Sequence, residues 1–359
     1  MTAPPVDVSV RRILIVNFGG IGDEILFFPV IRSLREAYPH AHLAALVEPR
    51  CEGIMRFNTA IDRTFTFEAK HRPSKRAFAR LVWQLRREGY DMAVTAGSSP
   101  LMALLVWLTG ARHRVGYAAH RWTSLLTHAV PLVKQQYAAH MYHDLVGWLG
   151  LAPQPPRMEV PEADLAWASA FLTDHGRDPA RRLVVLHPGV SRLSIEKRII
   201  KGWAPERWVA LGRALTAAGH QVLLAGGPDD AEVIALIRNA GDFPRLDAYG
   251  ATKSLGQLAA LLQLADAVVA VDSAPMHVGV AVGTPTVAIF GPTDPAKLLP
   301  PNTPHVAVVR EALACRPCLW DHRQTSCEAL TCLEEIGVDH VAGAVARTLA
   351  ALQASGAQP

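Results

Sequence analysis

The sequence predicts an α/β protein made of two doubly wound parallel-sheet domains. Three observations carry that expectation. Short β-branched runs alternate with segments of helical periodicity along the whole chain. The same scheme occurs twice, on either side of a proline-rich break. The chain has 359 residues, half of them apolar, which is more than one hydrophobic core usually serves.

The first half opens with the strand-like run "RILIVNF" at 12–18, followed by "EILFFPVIRSLREAY" at 24–38 with apolar residues at helical spacing. "HLAALVE", "RTFTF" and "DMAVTAG" read as the next three strands, with "KRAFARLVWQLRREG" as an intervening helix. In the second half the strands are "RLVVLHPG", "HQVLLAGG", "DAVVAVD" and "PTVAIFGP". The helices among them are "PERWVALGRALTAAG", "DDAEVIALIRNAG", "SLGQLAALLQLA" and "APMHVGVAVG". Buried strands joined by crossover helices imply parallel sheets. Pro153, Pro155, Pro156 and Pro161 exclude long regular structure and mark a linker. The expected organisation is an N-terminal domain over 1–155, a linker and first helix over 156–180, and a second domain over 181–338. A C-terminal helix and tail over 339–359 would cross back to the first domain. Two such sheets would face one another across a cleft, with ligands beyond the carboxyl ends of the strands.

Charge is unevenly spread. Residues 1–160 carry 19 Lys and Arg against 12 Asp and Glu, and the remainder 17 against 20. A basic first half fits a phosphorylated substrate or an anionic membrane surface; the bland alternative is an ordinary solvated face. No basic–aromatic run points to nucleic acid. The longest apolar run, "LMALLVWL" at 101–108, is far below the ~18 residues of a membrane span and reads as a core helix. The N-terminus lacks the apolar stretch of a signal peptide, so a cytoplasmic location is expected.

Chemistry-bearing residues gather at the predicted strand ends. After the first strand comes "NFGGIGDE", whose glycines permit close approach of a ligand and whose Asp23 opens a helix. Its competing reading is a helix cap, a common job for Asp. As a dinucleotide fingerprint the stretch lacks its third glycine, with Ile25 in that place, although Glu48 mimics a ribose-binding acid. "LHPGV", with Gly189, leads into the cationic loop "RLSIEKRIIKGW", the makings of a phosphate-binding loop or merely a solvated one. In "LLAGGPDD", Asp229 is placed to accept ribose hydroxyls or to cap a helix. Asp272 ends a strand whose helix starts near Ala274, so the amides of residues 273–276 form an anion site. Asp272 would accept sugar hydroxyls or cap that helix, and His277 lies one turn along.

Together, "DSAPMHVGVAVGTPTVAIFGPTDP", "VVLHPGV…KGWAPERW", "LLAGGPDD" and "ILIVNFGGIGDEILFFPVIRSLREAYP" resemble glycosyltransferase family 9, in that family's order and over nearly the whole chain. The resemblance implies a GT-B fold of two Rossmann-like domains and an inverting, metal-independent transfer from a nucleotide-diphosphate sugar. The family's common donor is ADP-heptose and its common acceptor the lipopolysaccharide core. Asp23 looks like the general base, and Lys201 like the lysine that holds the donor diphosphate. Asp229 falls near the ribose-contacting acid, where Asp230 also stands. Asp272, Ser273, Ala274 and His277 match the donor-binding element. The loop before Lys201 is longer than the usual spacing, which leaves Lys197 as an alternative. No cofactor is implied.

The acceptor, an acidic glycolipid or oligosaccharide, is expected against Gly22 and the cations Arg112, Arg114 and Arg121 of "ARHRVGYAAHR", with peripheral contact at the inner membrane. Cys315, Cys318, Cys327 and Cys332 have a spacing that would suit a structural zinc, or they pack a long loop as thiols. Two rival functions stay open on the residues: a nicotinamide-linked oxidoreductase, and a catalytically silent binding protein on the same fold.

Overall fold

The computed structural model describes residues 9–70, 73–196, 199–319 and 327–355. They form two compact units that divide between Glu159 and Val160, inside the expected linker. The segment 150–161 has no regular structure, as its prolines require.

The first unit holds β1 (Arg12–Val16), β2 (His42–Val47), β3 (Arg63–Thr66), β4 (Met92–Thr95), β5 (His113–Tyr117) and β6 (His128–Val130). Every pairing is parallel and the order is β3-β2-β1-β4-β5-β6. The second holds β7 (Leu183–His187), β8 (Gln221–Leu224), β9 (Leu246–Asp247), β10 (Ala267–Val271), β11 (Thr286–Phe290) and β12 (Val306–Val309). Its pairings are also parallel, in the order β12-β11-β10-β7-β8-β9. Numbered from its own first strand, this is the same 3-2-1-4-5-6 arrangement, the dinucleotide-fold order. Each sheet therefore reverses direction once, between β1 and β4 and between β7 and β10. There the loops leave to opposite sides and open a crevice at the carboxyl edge.

Burial on both faces explains the continuous apolar strands. Leu14, Val16, Ala44 and Leu46 point to a core closed by the helices Lys75–Glu88 and Pro100–Leu108, through Leu81, Leu85, Met102 and Val106. Ile21–Ala37 buries Ile25, Phe27, Phe28 and Leu34. In the second unit Val184, Leu186, Val269 and Ile289 pack with Trp208 and Leu211 of the helix Pro205–Ala217.

Three sequence expectations change here. The helix Val338–Ser355 lies in the second unit, with Val341, Ala344, Val345 and Leu349 in its core, rather than crossing back. "LMALLVWL" is a core helix on one side only: Leu101 and Trp107 are each 47% exposed. The edge strands β6, β9 and β12, and β5 with its polar start, were not expected, because two to five residues offer too little periodicity to read.

Candidate active site

In the first unit, β1 runs into Asn17, whose side-chain oxygen accepts the Gly19 N–H at 3.1 Å and tightens the turn. Gly20 caps the helix Ile21–Ala37, and the Asp23 carboxylate folds back on it, Oδ2 accepting the Gly20 N–H at 2.6 Å. A Cβ at Gly19 would fall 2.2 Å from the Asp23 Cβ, so the side chain occupies space that only glycine leaves open. Asp23 thus does cap its helix, yet only one oxygen is spent. The other, Oδ1, accepts the Tyr142 hydroxyl at 3.2 Å and keeps a lone pair. Burial and the Asp23 charge push the Tyr142 phenol well up, so it stays a proton donor.

Three further groups surround this carboxylate that the sequence reading did not single out. Lys70 Nζ and Arg50 Nη2 both donate to the Gly19 carbonyl, at 3.0 and 3.4 Å. Burial, then Arg50, lowers the Lys70 pKa. Glu24 is almost wholly enclosed; burial first, and Asp23 second, push its carboxyl well up. Glu48 is also buried, and its Oε1 accepts the Ala69 N–H at 3.2 Å. That oxygen is engaged by the loop, which weakens the ribose-acid reading. Gly22 stands in the first turn beside Asp23, half-exposed.

The cations of "ARHRVGYAAHR" divide. Arg114 lies on β5, where its guanidinium is consumed by the carbonyls of Leu125 and Ala111, each at 2.7 Å. Register puts His113 level with Met92 and hence with Ile13, the amino end of the sheet. Arg112 and Arg114 therefore sit at the edge opposite Asp23, which corrects their assignment to the acceptor. Arg121 follows the carboxyl end of β5.

In the second unit the switch point gathers most of the expected donor residues. Asp272, 3% exposed, leaves β10; its Oδ2 pairs with Lys201 Nζ at 2.7 Å and accepts the Thr293 hydroxyl at 2.6 Å. This answers its role differently from the sequence reading: it orients a cation, and Ser273 is the cap position of the helix Ala274–Ala281. The Ser273 hydroxyl is buried and has no partner among the described residues. His277 is buried one turn along. Arg316 steadies Thr293 by donating to the carbonyls of Gly291 at 2.6 Å and Thr293 at 3.2 Å.

After β7, Gly189 packs so tightly that a Cβ would fall 1.8 Å from Asp230 Oδ1. Asp230 is buried, its Oδ2 accepts the Gly227 N–H at 2.7 Å, and burial raises its pKa to about 6. The neighbouring His187 is lowered to about 4 by burial and is neutral. Asp230 is thus a structural wedge, while Asp229 is exposed and accepts the Arg192 N–H at 3.0 Å. Lys197 lies outside the described residues. The cysteines do not form a metal centre among the described residues. Cys332 faces the second core while Cys315 and Cys327 are exposed, so the packing of thiols accounts for the one that is buried.

The second site thus offers an ammonium, a hydroxyl and helix-terminal amides to an anion; the first offers one carboxylate with a hydroxyl-oriented oxygen. The model of glycosyltransferase family 9 (heptosyltransferase) matches residues 78–329. The chain belongs to glycosyltransferase family 9. It is a glycosyltransferase with the GT-B fold. It is 28% identical over 283 residues to lipopolysaccharide heptosyltransferase 3 of Escherichia coli, covering 76% of this chain and 81% of that protein. Lipopolysaccharide heptosyltransferase 2 of Salmonella typhimurium is 27% identical over 320 residues, 83% and 88% of the two chains. In fold the family 9 glycosyl transferase of Veillonella parvula superposes with a TM-score of 0.81 at 22% identity, over 95% of this chain and 98% of that one. An E. coli heptosyltransferase solved with ADP-2-deoxy-2-fluoro heptose gives 0.67 at 21% identity, over 94% and 99%.

Proposed function

We propose that this family 9 enzyme transfers heptose from ADP-heptose, with inversion and without a metal ion, to a hydroxyl of a lipopolysaccharide-core or other cell-envelope glycan. The observation that carries this reading is the Lys201–Asp272 pair beside the Ser273 hydroxyl, which has no partner among the described residues, at a helix start. It is a charge-compensated seat for a diphosphate. The relatives named for lipopolysaccharide heptosyl transfer supply the sugar and the acceptor class.

Asp23 Oδ1 takes the proton of the acceptor hydroxyl as its oxygen attacks the anomeric carbon opposite the diphosphate. Positioned base assistance is worth ~10²–10⁴-fold. Tyr142 holds Oδ1 in direction, and the burial that raises the Glu24 carboxyl disfavours a second negative charge beside it. The bond from the anomeric carbon to the diphosphate breaks with its electron pair, and ADP leaves. Lys201, the Ser273 hydroxyl and the amides of the helix Ala274–Ala281 offset the developing charge, the task a divalent metal performs elsewhere. Asp229 binds the ribose, and Gly22 and Arg121 lie toward the acceptor. The enzyme works in the cytoplasm with peripheral contact at the inner membrane; among the described residues no helix is long and apolar enough to cross it.

A melting panel with ADP-, GDP-, UDP- and dTDP-sugars tests the donor: ADP-heptose should raise the melting temperature and the others should not. Product formation from ADP-heptose and heptose-deficient lipopolysaccharide, unchanged by chelator, tests the rest. Equal turnover in Asp23→Ala would refute the base and favour a different catalytic group.

A further inference from the structure

The helix Pro100–Leu108, sequence "PLMALLVWL", is apolar all round. Such a helix is ordinarily covered on every side. Here Met102, Ala103, Leu105 and Val106 fill the first core, whereas Leu101 and Trp107 are exposed and Leu104 is partly so. Its neighbour, Lys75–Glu88, covers the same face of the sheet and is tied to it by Arg86, which donates to the Leu108 carbonyl at 3.4 Å. On that helix Arg76, Arg80, Trp83 and Arg87 recur every three or four residues and so form one outward stripe, all exposed. Trp83 is 60% exposed and Arg87 stands over its ring at 4.6 Å.

The charge of this region is one-sided. Between residues 69 and 143 the chain has eleven Lys and Arg but only two acids, Glu88 and Asp91. Glu88 is engaged by Arg12 and Arg63, and Asp91 by the backbone of Arg11 and Arg12. Neither neutralises the arginine stripe. Tryptophan and arginine beside an uncovered apolar helix are the composition of a surface that rests at a bilayer boundary, with rings at headgroup level and cations among anionic headgroups. A second copy fits poorly, because a two-fold pairing of this face would bring like arginine stripes together.

We infer that the outer face of the helices Lys75–Glu88 and Pro100–Leu108 docks on an anionic phospholipid surface. This gives the membrane contact of the proposed function a location and rests on that reading for its purpose. The helix Pro100–Leu108 begins just past the carboxyl end of β4, on the Asp23 edge, so docking would bring a lipid-anchored acceptor toward that edge.

Vesicle flotation tests this without donor or acceptor, so its failure leaves sugar transfer standing. The protein should float with phosphatidylcholine vesicles containing phosphatidylglycerol, and not with phosphatidylcholine alone or at high salt. The triple change Arg76→Gln, Arg80→Gln, Arg87→Gln should lower partitioning by roughly 100-fold. The pair Trp83→Ser, Trp107→Ser should lower it by about tenfold or more. Both variants should keep wild-type melting and wild-type turnover on a water-soluble, delipidated acceptor. No binding to anionic vesicles, or unchanged binding in both variants, would overturn the inference. So would a dimer that dissociates in the tryptophan variant, which would assign the face to a second copy.

Discussion

Replacing Lys201 by Met separates the two jobs its ammonium performs. In the native protein Nζ lies 2.7 Å from Asp272 Oδ2, with the lysine side chain 17% and the aspartate side chain 3% exposed. Removing the cation leaves that carboxylate buried with one side-chain hydrogen bond among the described residues, from Thr293. Breaking a buried pair from one side costs about 3–5 kcal/mol. For a unit of this size about 1 kcal/mol moves the melting temperature by roughly 2–4 °C, so a loss of about 6 °C or more is expected in calorimetry. The double variant Lys201→Met, Asp272→Asn removes both charges and should recover most of that loss, since the two changes are strongly coupled. Donor chemistry should not recover. The double variant lacks the ammonium that offsets the leaving diphosphate, and turnover should stay down by about 10²–10³-fold, with no melting shift from ADP-sugar. If the single and double variants melt together, the pair is not what holds Asp272. If the double variant turns over normally, Lys201 does not serve the diphosphate.

Asp23→Asn keeps an oxygen for the Gly20 N–H, so melting should change little while turnover falls ~10²–10⁴-fold; donor-induced melting shifts should persist. Gly189→Ala sets a methyl against Asp230 and should destabilise the second unit by about 1–3 kcal/mol, read by denaturant midpoint, with donor binding weakened as the loop moves. Burial lowers His187 and His305 to about 4 in the fold, below their ordinary value of about 6.5. The stability they confer is complete above pH 6.5 and is lost as pH falls toward 4. His305→Asn should flatten that part of the profile of denaturant midpoint against pH.

The site was legible where its residues follow a strand within a few positions. "NFGGIGDE", "LHPGV", "GGPDD" and "DSAPMH" each couple a β-branched run to a glycine or a helix start, and a sheet of this kind presents such loops on its carboxyl edge. The choice between Asp229 and Asp230 was not legible. It depends on which carboxylate fills the hollow left by the missing side chain of Gly189, forty-one residues before Asp230. Arg112 and Arg114 misled because cation density says nothing of which end of a strand carries it. Register with β4 puts them at the amino edge.

Periodicity, turn residues and the order of motifs in this chain determined two parallel α/β units, the family and the candidate residues, because each signal is local and spans only a few turns of backbone. Tertiary structure alone decided what those residues do to one another. Tyr142 reaches Asp23 across 119 positions, and Lys201 meets Asp272 across seventy-one. It also decided that one side of an all-apolar helix stays uncovered. Pair geometry and solvent exposure are set by where distant segments pack, and no local pattern encodes that distance.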